Sequence, residues 1–337
     1  MSPGFRLLIL AFIGLGSGMA QTLPAAGSAS VAEARALMKQ GKLDDALREL
    51  DALAAQQPRP AEVERLRGIV FYQKNQMEAA EASFALALEQ DPADLESMQM
   101  RGVVLYRMGK PAEAIPWLEK AHAAPVANAD PNYVLALCYI ATKRYDDARH
   151  GFATQYGFAP DSAAAWLVTA RMLFRQEQTA AAAAAAQKAC DIDPRLPQAH
   201  RLLGEIALGN GDVAGALAQF EQERKVNPLD GETYDRMGDA YLRSGEYGKA
   251  QQVLDRAVLL EPNASGPYIL LGRTLIAEQD PVTATMYLEH AVKIDPSNSM
   301  AHMLLGRALQ ASGRKAEAQR EFQALQKLQD APGSTNP

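Results

Sequence analysis

Ala182 lies within a run of seven consecutive alanines, Ala180 to Ala186, and steps of 34 residues in either direction from it meet alanine every time. The full set is Ala46, Ala80, Ala114, Ala148, Ala182, Ala216, Ala250, Ala284 and Ala318, nine positions with no insertion between first and last. A fixed period of this length describes a chain made by stacking one supersecondary unit, each copy burying its apolar face against its neighbours. Folds that need long-range pairing of dissimilar segments are excluded across the whole repeated span.

Other columns keep the same register. Twelve residues before each alanine stand only small residues: Ala34, Gly68, Gly102, Ala136, Ala170, Gly204, Gly238, Gly272 and Gly306. Four residues after it stand Leu50, Phe84, Leu118, Phe152, Ala186, Phe220, Leu254, Leu288 and Phe322. Pro recurs twelve residues after it at Pro58, Pro92, Pro160, Pro194, Pro228, Pro262 and Pro296, with Val126 as the exception. Within each period the apolar residues fall at helical spacing on two segments of about a dozen residues. Between them stands Gly or Asn in six copies (Gly41, Asn75, Gly109, Gly211, Gly245, Gly313), residues that accept the left-handed conformation ending a helix. Proline then closes the second helix. The two small-residue columns are expected to face each other across the helix pair, with the large residue filling the space beside that contact. Alanine holds helix well, so the run is expected to be a thin second helix, with Trp166, Leu173 and Phe174 filling the space beside it.

The pattern resembles the tetratricopeptide repeat. Its clearest copy here is Tyr234, Met237-Gly238, Tyr241, then Ala250 and Leu254, then Pro262. The resemblance covers about residues 28 to 329 in nine copies, and copies four and five depart most, with Ala136 and Gly151 in one and Ala170 and Ala186 in the other. It implies an all-α fold, a right-handed α-solenoid of nine helix-turn-helix repeats spanning residues 30–330. It also implies a concave face lined by the first helix of each copy.

Outside the repeats the sequence changes character. Residues 1–20 carry one charge, Arg6, then the apolar stretch Leu7 to Gly16 and a small-residue junction at Gly18-Met19-Ala20. This is the layout of a secretory signal peptide, the apolar stretch being shorter than the roughly 20 residues of a bilayer span. Cleavage gives a periplasmic or secreted protein with no stable membrane insertion; retention makes the segment an anchor. Residues 21–29 read as a linker, and 331–337 (A-P-G-S-T-N-P) have the composition of a disordered tail. With 34 Lys and Arg against 40 Asp and Glu, and no basic cluster, the chain lacks the electrostatic footprint of a nucleic-acid binder. Cys138 and Cys190 show no C-x-x-C spacing and are expected to be buried thiols.

No catalytic constellation stands out. The histidines (His122, His150, His200, His290, His302) lack metal-binding spacing, and His200 and His302 occupy the aromatic column of Tyr234 and Tyr268, which favours packing. Asp-Pro at Asp91, Asp193 and Asp295 is turn chemistry. There is no G-x-S-x-G, phosphate loop or Cys/His nucleophile pair, so no enzyme activity, cofactor or metal is expected. Some tetratricopeptide proteins clamp a terminal carboxylate with Lys and Asn, but the matching groove column (Ile69, Val103, Leu137, Arg171, Glu205, Asp239, Arg273, Arg307) contains no Asn.

The groove itself is the remaining place for function. Arg65, Ile69, Tyr72, Val103, Tyr106, Arg107, Tyr133, Leu137 and Ile140 are expected to line its early part. Three opposite-charge pairs, Arg171/Glu205, Arg201/Asp235 and Asp239/Arg273, stand 34 apart and read as ladders between adjacent helices. Arg107 and Arg175 lack such partners and flank aromatic residues, and Tyr and Arg are enriched in binding hot spots. The candidate peptide-binding residues are therefore Tyr72, Tyr106, Arg107, Tyr133, Arg171, Phe174 and Arg175. These features together describe an exported, non-enzymatic scaffold for a protein or peptide partner. The alternative is a self-associating component of a cell-envelope assembly.

Overall fold

A computed structural model describes residues 30–330 apart from 57–59, 61 and 123–130. The expected leader, linker and tail, and the column residues Pro58 and Val126, lie outside the described residues. Every described element is a helix, and the helices form two compact units that meet between Met172 and Leu173.

The N-terminal unit is built from α1 (Val31–Lys39), α2 (Leu43–Ala54), α3 (Val63–Gln73), α4 (Met77–Gln90), α5 (Leu95–Arg107), α6 (Pro111–His122), α7 (Asn132–Ala141) and α8 (Tyr145–Tyr156). The unit boundary falls inside α9 (Ala163–Arg175). The C-terminal unit continues with α10 (Thr179–Ile192), α11 (Ala199–Gly209), α12 (Val213–Val226), α13 (Gly231–Arg243), α14 (Tyr247–Leu260), α15 (Ser265–Ala277), α16 (Pro281–Ile294), α17 (Ser299–Ala311) and α18 (Lys315–Asp330).

One turn joins the two helices of every repeat. The residue five before each column alanine has positive φ in all nine copies: Gly41, Asn75, Gly109, Lys143, Glu177, Gly211, Gly245, Gln279 and Gly313, between 59° and 83°. The next amide closes a six-to-one bond onto the first helix each time, from Lys42 to the Leu37 carbonyl (3.0 Å) through to Arg314 to Leu309 (2.8 Å). That is the Schellman arrangement, in which a left-handed residue lets the chain reverse while satisfying the last carbonyls. Lys143, Glu177 and Gln279 adopt it without the freedom of glycine. Three inter-repeat turns share one device: the Asp91, Asp193 and Asp295 carboxylates each accept from the amide two residues on, at 3.0 Å, as Asp-Pro turn chemistry requires.

The core shows how the columns divide the work. The nine column alanines are buried, none more than 3% exposed. The glycines, however, face the large residues directly. A Cβ on Gly238 would lie 2.4 Å from Leu254 Cδ2, one on Gly204 2.4 Å from the Phe220 ring, and one on Gly102 2.5 Å from Leu118. The large side chain thus sits on the bare helix backbone rather than beside a contact between two small-residue columns. A Cβ on Gly102 would also lie 3.4 Å from the Ala114 carbonyl, the expected approach to the alanine column. The alanine run is α10, with Ala182, Ala186 and Ala189 fully buried and Ala180 and Ala184 exposed. Trp166 turns its ring to the Arg149 guanidinium, 4.5 Å away.

Within the units successive first helices touch one another: α1 with α3, α3 with α5 and α5 with α7, then α11 with α13, α13 with α15 and α15 with α17. No comparable contact joins successive second helices among the described residues. The first helices form the closer-packed layer, which places them on the inner side of any curvature within a unit.

Candidate functional site

Arg107 ends α5, and its exposed guanidinium is held from two directions. Nη2 donates to Asn75 Oδ1 at 2.8 Å, and the guanidinium carbon lies 4.9 Å from the centre of the Tyr72 ring. Asn75 is the left-handed residue of the turn between α3 and α4, and Tyr72 is half-buried against Met77, Ala80, Phe84 and Val104. Both supports are therefore fixed by the repeat fold. They leave the charge of Arg107 without a carboxylate within ion-pair distance among the described residues.

Neighbouring arginines differ. Arg65 spans to Asp94 (3.1 Å), Glu96 (3.3 Å) and Glu62 (3.6 Å). Arg67 meets Asp51 and the fully buried Glu64, each at 3.0 Å. Arg101 is bound to Glu81 at 2.7 Å while stacking on Trp117 at 4.4 Å. A guanidinium oriented by a ring and an amide, with its charge unmatched, is ready for a carboxylate and has surrendered its rotamer freedom in advance.

The other expected residues are placed as follows. Tyr106 is half-buried beside Arg107 in α5. Tyr133 of α7 packs edge-on to Phe152, with ring centres 6.0 Å apart, and its hydroxyl points to Met172 Sδ at 3.9 Å. Arg171 is half-buried on α9; Phe174 (half-buried) and Arg175 (exposed) follow on the C-terminal unit's side of the boundary. Val103 and Ile140 are at most 8% exposed and belong to the core rather than the lining. The sequence marks Asn75 only as a turn residue, not as a support for Arg107; its signal is a side-chain amide in place of the turn-column glycine, which only Gln279 shares.

The C-terminal unit pairs many of its charges internally, though not as the 34-residue step implies. Arg201 is buried and meets Asp230 (3.3 Å), Glu205 (3.7 Å) and Glu232, not Asp235. Glu205 also lies 3.6 Å from Arg236. Asp239 does reach Arg273, at 3.9 Å, and pairs more closely with Arg243 at 2.8 Å. Asp235 is left with a buried Oδ1 that has no hydrogen-bond partner, facing Gly266 of α15. Burial raises its pKa to about 6; Arg236 opposes the shift, and Asp239, Glu232 and Glu261 add to it.

His302 Nε2 donates to the Pro296 carbonyl (3.0 Å), and its Nδ1 lies 2.7 Å from Glu321 Oε2. Tyr234 and Tyr268 make the same tie from their hydroxyls to the carbonyls of Pro228 (3.1 Å) and Pro262 (3.3 Å). The aromatic column therefore pins the inter-repeat turn. His200 Nδ1 lies 2.9 Å from Gln219 and 3.8 Å from Cys190 Sγ, a Cys/His contact not visible in the spacing. Burial pushes this thiol up to about 11 and Cys138 to about 12, the reverse of what a nucleophilic cysteine needs. Both cysteines are free and buried. Among the described residues no group of His, Cys, Asp and Glu is placed to hold a metal ion, and no helix is long and apolar enough to cross a membrane.

Sequence profiles of the tetratricopeptide repeat match residues 31–94 and 151–197, 197–222, 231–264 and 275–332. The chain belongs to the tetratricopeptide repeat family, whose fold is a scaffold for protein interaction. A profile of the anaphase-promoting complex, cyclosome, subunit 3, matches residues 73–155. Among solved structures the chain is similar to MamA 41-end from Desulfovibrio magneticus RS-1, at 21% identity and TM-score 0.48, over 52% of this chain and 98% of that one. It is also similar to YrrB, described as a TPR protein with an unusual peptide-binding site, at 18% identity and TM-score 0.45, over 55% and 93% of the two chains. The APC/C hetero-tetramer Cut9-Hcn1 is matched at 17% identity and TM-score 0.45, over 83% of this chain and 55% of that one. No curated protein sequence matches.

Proposed function

We propose that this chain is an exported, non-enzymatic scaffold that binds an extended segment of a partner protein along the first helices of its N-terminal unit. The observation that carries the reading is Arg107, a cation oriented by Asn75 and Tyr72 and lacking a carboxylate partner among the described residues. A partner carboxylate would complete it through charge-assisted hydrogen bonds, and tyrosine faces beside it would take up apolar contact. The same side of the C-terminal unit already satisfies most of its charges internally. Export rests on the leader-like residues 1–20, and the absence of enzyme activity on the lack of any nucleophile, general base or metal constellation in the sequence.

The test is crosslinking capture from the native cell envelope with matched variants. Arg107→Ala and Tyr106→Ala should each weaken recovery of the partner by about 1 kcal/mol or more, a fivefold loss, without moving the thermal transition. The pair Asp239→Ala and Arg273→Ala should leave recovery intact. Equal losses from both sets, or loss from the second alone, refute the placement. N-terminal sequencing of the native protein should begin near Gln21; Met1 or Ser2 recovered with the membrane pellet refutes cleaved export.

A further inference from the structure

The column of large residues on the second helices gives the same burial in eight copies and a different one in the ninth. Leu50, Phe84, Leu118, Phe152, Ala186, Phe220, Leu254 and Leu288 are all 0% exposed, whereas Phe322 of α18 is only half-buried. The position directly after the column alanine also differs between the last two copies. Thr285 of α16 is 2% exposed, and its counterpart Gln319 of α18 is exposed. Coverage in copy eight comes from α17: Ala284, Leu288 and Ala291 form one cluster with Ala301, Leu304 and Ala308. At α18 the corresponding place is a shallow concavity of about 220 Å³, floored by Ala318 and Phe322 and edged by Gln310, Lys315 and Gln319. Its floor residues are the counterparts of Ala284 and Leu288, which cluster with the first helix α17 in the preceding repeat.

One first helix has the matching side open. On α17 the covering residues Leu304 and Ala308 are 4% and 0% exposed; their counterparts on α1 are Ala32, exposed, and Ala36, half-buried. Small side chains there raise no steric bar to close approach. The polar rim also fits. Between α4 and α5, Arg101 meets Glu81 at 2.7 Å, and between α2 and α3, Arg67 meets Asp51 at 3.0 Å. At a junction of α18 with α1 of another copy, the same columns bring Glu33 opposite Gln319 and Gln323, all three exposed. A carboxylate facing two amide donors is a hydrogen-bonding match with no like-charge conflict.

We infer that the open face of α17 and α18 is an interaction surface for α1 of a second copy of this chain, continuing the repeat register from one molecule to the next. The contact is heterologous, head to tail, so it propagates into open-ended assemblies rather than closing as a two-fold dimer. It is independent of the partner groove around Arg107.

Light scattering across a concentration series reads it. The unaltered protein should show a mass that rises with concentration past the dimer. Gln319→Glu with Gln323→Glu places two carboxylates opposite Glu33 and should return the protein to monomer. These positions are exposed, and an unchanged helical melt shows that folding is intact. Mixing this variant with Glu33→Lys should restore mixed assemblies, because the charges are then opposed. A monomer at every concentration overturns the inference. So does a mass that stops at the dimer, or assembly that the glutamates abolish and the lysine does not rescue, since both describe α18 pairing with itself.

Discussion

Replacing Asp235 with Asn should stabilise the C-terminal unit at neutral pH and do little in acid. The carboxylate lies between α13 and α15, its side chain 17% exposed, with Arg236 no closer than 4.0 Å and one oxygen without a hydrogen bond. Asp239 and Glu232 on its own helix and Glu261 beyond α14 disfavour its charge further. Its folded pKa of about 6 stands above the 3.8 of the unexchanged side chain. The folded state therefore holds the proton more tightly than the unfolded one. The associated stability is fully present below pH 3.8, is lost as pH rises, and is gone above about 6. A gap of about two units at about 1.4 kcal/mol each makes the loss roughly 3 kcal/mol. Asparagine keeps the shape and cannot ionise, but its amide also lacks a ready partner, so a gain of about 1–3 kcal/mol is expected at pH 7.5. Because long repeat arrays need not unfold as one, hydrogen exchange of the α13–α15 amides is the suitable assay, with urea unfolding beside it. The gain should shrink towards zero at pH 4. An equal effect at both pH values, or destabilisation at pH 7.5, refutes the reasoning.

Gly238→Ala should destabilise by about 1–3 kcal/mol in thermal or urea unfolding, because its methyl would meet Leu254 at 2.4 Å on a fully buried side chain. The exposed control Gly248→Ala, where no atom lies within 4 Å of the added carbon, should not destabilise. Gln279→Gly should raise stability by roughly 0.5–1 kcal/mol, since its φ of 63° is strained for any side chain and glycine removes more strain than its flexibility costs. A lower melting temperature for Gln279→Gly would show that its side chain earns its place by other contacts.

The repeat, its helix pairs and the Asp-Pro turns were legible because each follows from a residue type recurring at one spacing. Lys143, Glu177 and Gln279 were not, since a left-handed turn that the packing of each helix pair imposes in all nine copies tolerates a residue that would not choose it. The charge ladders were half legible. A step of 34 finds the equivalent residue on the next first helix, but arginine side chains lean towards their helix N-terminus. Arg65 and Arg201 therefore reach Asp94 and Asp230, each 29 residues on, instead of the equivalent position. For the site, sequence pattern singled out Arg107 as lacking a counter-charge; that Asn75 and Tyr72 hold it depends on how a turn and a neighbouring helix meet.

The contrast between touching first helices and separated second helices gives each unit an asymmetric elasticity. Van der Waals contact resists compression steeply and extension only weakly. Squeezing the inner layer therefore meets a hard stop at once, while successive second helices, which pack on first helices and not on one another, oppose it less directly. Each unit should behave like a strip with one incompressible fibre: stiff against shortening along its first helices, compliant in bending about them. A segment lying on those helices would rest against the least deformable line in the molecule.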